Sequence, residues 1–84
     1  MVYLIAVFKV RSDTFKFQQK LNSMGVGCSI INTPKQTMVS CGISVKFGLK
    51  DFNKARFLVD TRSSFIGFYK VVEDKGKTIV MPAK

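Results

Sequence analysis

Apolar positions along the chain change their period from segment to segment, and each change marks an element. "VYLIAVFKV" (2–10) is an unbroken β-branched and aromatic run, the pattern of a central strand buried on both faces. "RSDTFKFQQKLNSMG" (11–25) then puts Phe17, Leu21 and Met24 at helical spacing. Ser12 is placed to cap this helix, Asp13 suits its electropositive first turn, and Gly25 stands where it stops. "VGCSIIN" (26–32) reads as a second strand, closed by the Asn-Thr-Pro turn signal. "SCGISVKF" (40–47) alternates, with Cys41, Ile43, Val45 and Phe47 on one side and Gly42, Ser44 and Lys46 on the other. In "LKDFNKARFLVDTR" (49–62), Phe52, Ala55, Leu58 and Val59 share one helical face. "SFIGFYKVV" (64–72) is a strand, "EDKGK" (73–77) a turn, and "TIVM" (78–81) a short final strand before Pro82.

The resulting order, β-α-β-β-α-β plus a terminal strand, predicts one α+β domain over residues 1–84. With right-handed crossovers its simplest fold is a ferredoxin-like split β-α-β sandwich, strand order 4-1-3-2, with both helices on one face. The extra strand either extends the sheet by hairpin pairing or pairs with another chain. The first strand should leave one apolar face, Tyr3, Ile5 and Val7 or Leu4, Ala6 and Phe8, turned away from the helices as a contact surface.

Composition narrows the chemistry sharply. With no histidine, neither a Ser-His or Cys-His nucleophile pair nor an imidazole metal site can form. The five acidic residues are scattered and suggest no carboxylate cage. Two cysteines are too few for a secreted disulfide scaffold. The longest apolar run, Val2 to Phe8, is about a third of a membrane span, and no signal-peptide pattern appears, so a cytoplasmic location is expected. Neither a cofactor nor a metal is implied. Any chemistry falls to sulfur.

The unusual segment is "TPKQTMVSCGISVKF" (33–47). On Thr33, Pro34 and Lys35, and on Ser40, Cys41 and Gly42, the chain resembles the family of small selenium/sulfur carrier-like proteins. An apolar first strand and a Ser/Thr-containing helix start belong to the same pattern, and the likeness runs from Tyr3 to about Val72. Lys35 stands where that pattern has arginine, and Gln36 where it has an acid. The resemblance implies a carrier or accessory protein, not a stand-alone enzyme. Its Cys41 would accept sulfur or selenium, as a persulfide or selenopersulfide, from a donor protein and pass it to an acceptor.

The expected fold has its own consequence for Cys41. Strands one and three would be antiparallel neighbours, bringing the start of strand three beside the first turn of helix one. Backbone N–H groups around Ser12 and Asp13 would then favour a thiolate. Arg11, Lys35 and Arg62 should crowd the same end, Asp13 opposes them, and Gly42 lets a backbone or substrate approach closely. The candidate site is thus Cys41, Gly42, Ser40, Lys35, Arg11 and Ser12. The competing reading makes Cys41 a small buried hydrophobe beside Ile43 and Val45. Cys28, between Gly27 and Ser29 inside a strand, is read as structural. A hairpin turning at Gln36 and Thr37 sets Cys41 opposite Asn32, roughly 13 Å along the strand from the level of Cys28 and too far for a disulfide.

Two other functions fit parts of the sequence. A net charge of +9 suits polyanions, and the expected fold class hosts RNA-recognition domains. However, the basic residues are spread out, and "CGISVKF" has Ile43 where a stacking aromatic belongs, which disfavours nucleic acid. A regulatory or oligomerisation domain without chemistry is the third reading, with a homodimer through the sheet or the C-terminal strand.

Overall fold

The computed structural model describes residues 1–37 and 42–83. Its central strand is β1 (Val2–Phe8), whose side chains from Leu4 to Phe8 are almost wholly removed from solvent, as the unbroken apolar run requires. Helix α1 (Arg11–Ser23), strand β2 (Cys28–Asn32), a 3-10 turn (Lys35–Thr37) and strand β3 (Ile43–Phe47) follow. A second 3-10 turn (Leu49–Asp51) leads into α2 (Phe52–Leu58), and the long hairpin of β4 (Phe65–Asp74) and β5 (Lys77–Ala83) completes the order. The hairpin turn is Lys75 and Gly76, with φ of 50° and 80°, as a two-residue type I′ connection demands.

All pairings are antiparallel, in the order β2-β3-β1-β4-β5. The fold is α+β, with two helices and a five-stranded sheet. The order has five strands and so differs from that of a four-stranded split β-α-β sandwich, because β5 pairs with β4 as a hairpin and becomes an edge. Hairpin pairing is one of the two placements expected for the terminal strand. That strand also runs longer than expected and includes Pro82.

Leu4, Ala6 and Phe8 face the helices. They pack with Phe17 and Leu21 of α1, Ala55 and Leu58 of α2, and Val45 and Phe47 of β3. Phe68 of β4 is the hub, with ring centroids 5.3 Å from Phe52, 4.8 Å from Phe65 and 5.9 Å from Phe47. Much of the core volume of so short a chain is therefore aromatic, each buried ring contributing about 1.5–3 kcal/mol.

The opposite face corrects an expectation. Ile5, Val7 and Val71 are fully buried and Tyr3 is 9% exposed, so this is not an open apolar surface. Ile31, Ile66, Tyr69 and Val80 pack against them. Twist explains much of this closure. At roughly 20–25° per strand pair, the two edge strands end up nearly crossed, and diagonal corners of the sheet lift toward the same side. By the alternation of the pleat, Ile31 of β2 and Val80 in the middle of β5 pack on this second face, whereas Cys28, Ile30 and Ala83 pack on the helix side. The turn after β2 meets the far edge, where Gln36 Nε2 donates to the Thr78 carbonyl at 3.3 Å. Since the helices occupy the other face, that link crosses this one.

The same hydrogen bond helps to blunt the β5 edge. Glu73, opposite Thr78, directs both its backbone groups to Met1, so the groups of Thr78 point outward, and those of Val80 and Pro82 follow by alternation. Pro82 has no N–H to offer there, and the Thr78 carbonyl is already engaged.

Candidate functional site

The corner between β1 and α1 is clasped from a distance in sequence. The carboxylate of Asp13, in the first turn of α1, accepts from the backbone N–H and the hydroxyl of Ser64, at 2.9 and 2.7 Å. The Ser64 hydroxyl oxygen in turn accepts from the Val10 N–H at 2.9 Å, and the Ser64 carbonyl from the Lys9 N–H at 3.0 Å. These bonds favour the charged carboxylate and hold the Asp13 pKa below its ordinary value, with the Lys16 charge helping. Ser12 does not cap the helix. Val10 holds the cap position, without a side-chain bond, and Asp13 with Ser64 secures the helix start instead. Arg11 and Ser12 are both exposed in the first turn.

The expected meeting of this corner with the start of β3 is present in the register, where Val7 pairs with Ser44. One residue before β3, the Gly42 carbonyl accepts from the Thr33 N–H at 3.0 Å, prolonging the β2–β3 ladder. The Ser44 hydroxyl, fully buried, lies 2.6 Å from that of Thr33. Gly42 has a φ of 96°, a conformation L side chains rarely adopt, while open space surrounds the place where a Cβ would stand. Backbone conformation alone is reason enough for glycine at this position.

Cys41 and Ser40 lie outside the described residues. Lys35 sits in the 3-10 turn that is tied to β5, drawn across the second face, whereas Arg11 and Ser12 open a helix on the other. Asn32 pairs with Ile43, two residues along from the expected partner Cys41. The hairpin assumed from the sequence was too short, because the connection accommodates an extra 3-10 turn. A shift of two preserves which side chains share a face.

Cys28 is the described thiol, half-buried at the opposite end of the β2–β3 pair, opposite Phe47. Its Sγ is 3.3 Å from Asn22 Oδ1 and 3.7 Å from the Gln18 carbonyl, and burial pushes its pKa up. A thiol so held is a weak nucleophile at neutral pH. Five residues of strand separate the level of Phe47 from that of Gly42, roughly 17 Å, so Cys28 is remote from the corner beside the motif. It does border an open cavity of about 390 Å³ with Tyr3, Lys46 and Gly48.

Sequence reasoning missed the Asp13–Ser64 clasp and the Thr33–Ser44 pair. The first joins residues 51 apart and leaves no local signal. The second had one, a serine inside an otherwise apolar and basic strand. Among the described residues no group of three or more metal-ligating side chains converges. No helix there is long and apolar enough to cross a membrane.

Fold and corner together define a small α+β protein whose Cys28 thiol is half-buried and hydrogen-bonded and whose other cysteine precedes, in sequence, a glycine of positive φ at a strand start. The chain belongs to the family described as "Putative Se/S carrier protein-like", whose model matches residues 3–70. That match takes in Arg11, Ser12, Lys35, Ser40, Cys41 and Gly42, and it ends within β4, before β5. No curated protein and no solved structure matches the chain.

Proposed function

We propose that this protein carries sulfur or selenium on the thiol of Cys41, between a donor and an acceptor protein, on a ferredoxin-like split β-α-β framework extended by β5. The observation that carries the reading is the family match, which spans Thr33 to Gly42. The state of Cys28 supports it: burial and two hydrogen-bond acceptors favour its protonated form, leaving Cys41 as the nucleophile. In the loading step the Cys41 thiolate attacks the terminal sulfur of a donor persulfide. A new S–S bond forms to that sulfur, the donor's own S–S bond breaks, and the donor leaves as a thiolate. Neither a base nor a metal is needed, which suits a chain without histidine.

Intact mass after incubation with a sulfane-sulfur donor tests this. Wild type and Cys28→Ala should each gain one sulfur, and Cys41→Ala none; equal loading of the two single variants would falsify the assignment. In a pH series of alkylation rates, Cys41 should titrate below the free-cysteine value of about 8.5 and Cys28 above it.

A further inference from the structure

Helix α2 carries a side chain that the fold does not use. Phe57 is 92% exposed, although this chain buries most of its rings. It lies off the face formed by Phe52, Ala55 and Leu58, about 140° around the helix from Phe52. Met24, at the end of α1, is 54% exposed beside it. Together with Leu58, Asn53 and Lys54 these two line a concave site of about 310 Å³ whose walls are almost wholly apolar. A hollow of that kind accepts an inserted side chain, which a flat lipid surface does not supply.

The charge around it is one-sided. Lys50, Lys54 and Arg56 lie on or just before α2, with Asp51 the sole acid from residue 49 to residue 58. Lys54 lines the hollow itself, and Arg56, whose guanidinium stands 5.5 Å over the Phe52 ring, lines an adjoining hollow with Asn53 and Phe57. The chain's net charge of +9 disfavours a second copy as the occupant, since two such rims would repel.

We infer that the Met24–Phe57 hollow docks a partner protein through an acidic segment bearing a large apolar side chain. That side chain would sit between Met24 and Phe57, and its flanking carboxylates would meet Lys54 and Arg56. Docking here involves neither cysteine, so its fate is separable from that of the carrier reading.

The test is selection of a displayed random-peptide library on the full-length protein under reducing conditions. The enriched peptides are then measured against wild type, Phe57→Ser and the double variant Lys54→Glu/Arg56→Glu. Enriched sequences should combine Asp or Glu with Phe, Leu, Met or Trp. Phe57→Ser should weaken them about thirtyfold, as expected for loss of an aromatic anchor. The charge-reversed variant should weaken them too, with a loss that shrinks as salt rises. Phe57 is too exposed for its removal to threaten folding, and far-ultraviolet circular dichroism of each variant confirms that. Failure to enrich any Phe57-dependent peptide overturns the inference, and so does enrichment of basic or wholly apolar ones. Phe57-dependent self-association in sedimentation, or Phe57-dependent binding to vesicles of anionic lipid without peptide binding, overturns it as well.

Discussion

Asp13 shows how a single carboxylate can organise a corner. It accepts twice from Ser64 and, through that serine, reaches the Val10 N–H, so the end of β1, the start of α1 and the start of β4 share one small network. Because folding lowers its pKa from the ordinary 3.8, the folded state binds its proton less readily than the unfolded chain does. The stabilisation is therefore complete above that ordinary value and is lost as pH falls through the lower folded value. Urea unfolding of wild type and Ser64→Ala across a pH series checks this. The variant should have the lower midpoint at neutral pH, and the gap should narrow in acid below about pH 4. A gap of constant size at every pH would mean that the Ser64 contribution does not pass through the Asp13 charge.

Between elements, the Thr33–Ser44 pair joins the residue after edge strand β2 to β3. Thr33→Val leaves the fully buried Ser44 hydroxyl without this partner, at a cost of about 1–3 kcal/mol. Ser44→Ala should cost less, because Thr33 is only half-buried and water can reach it. Removing both hydroxyls should cost less than the sum of the single changes, by about 0.5–3 kcal/mol. Denaturant unfolding of the four proteins measures that coupling, and strict additivity would show the two hydroxyls to be independent. Elements of this kind were legible in the sequence to different degrees. The unbroken run of β1, the helical spacing of Phe17 and Leu21, and the Lys75–Gly76 turn are local signals, and each element stands where it was expected. Helix α2 was legible by its inward face, yet Val59, expected on that face, is already extended at the helix end. Sheet twist, the reach of Gln36 to Thr78 and the grip of Ser64 on Asp13 are long-range, so no window of sequence displays them. For the site, the motif was readable and Gly42 stands where a strand start needs it. The reason for that glycine, a positive φ, emerged only from the backbone.

For the whole molecule the question is what fourteen basic residues against five acidic ones are for. Single-strand recognition on a sheet of this kind relies on aromatic rings presented to solvent by the central strands. Here β3 offers Phe47, which is 2% exposed and turned to the helices, and β1 offers Tyr3, which is 9% exposed beneath the Lys46 ammonium at 4.4 Å. Burial, and secondarily Glu73, raises the Tyr3 pKa, consistent with a phenol that stays neutral and packed. The second sheet face is also crossed by the link from β2 to β5, which leaves bases no platform. Phe57 is the most exposed ring, and on α2 it can stack one base at most. Binding to a mixed-sequence single-stranded oligonucleotide should therefore be counterion release and little else. Fluorescence anisotropy should show weak association at about 50 mM salt that is gone by about 200 mM, with the same affinity for every base composition. Phe57→Ser should leave it unchanged, whereas reversing Lys54 and Arg56 should weaken it, since only charge is being read. Tight, base-dependent binding that survives the higher salt would instead make the charge a recognition surface, and a nucleic acid the partner that this protein serves.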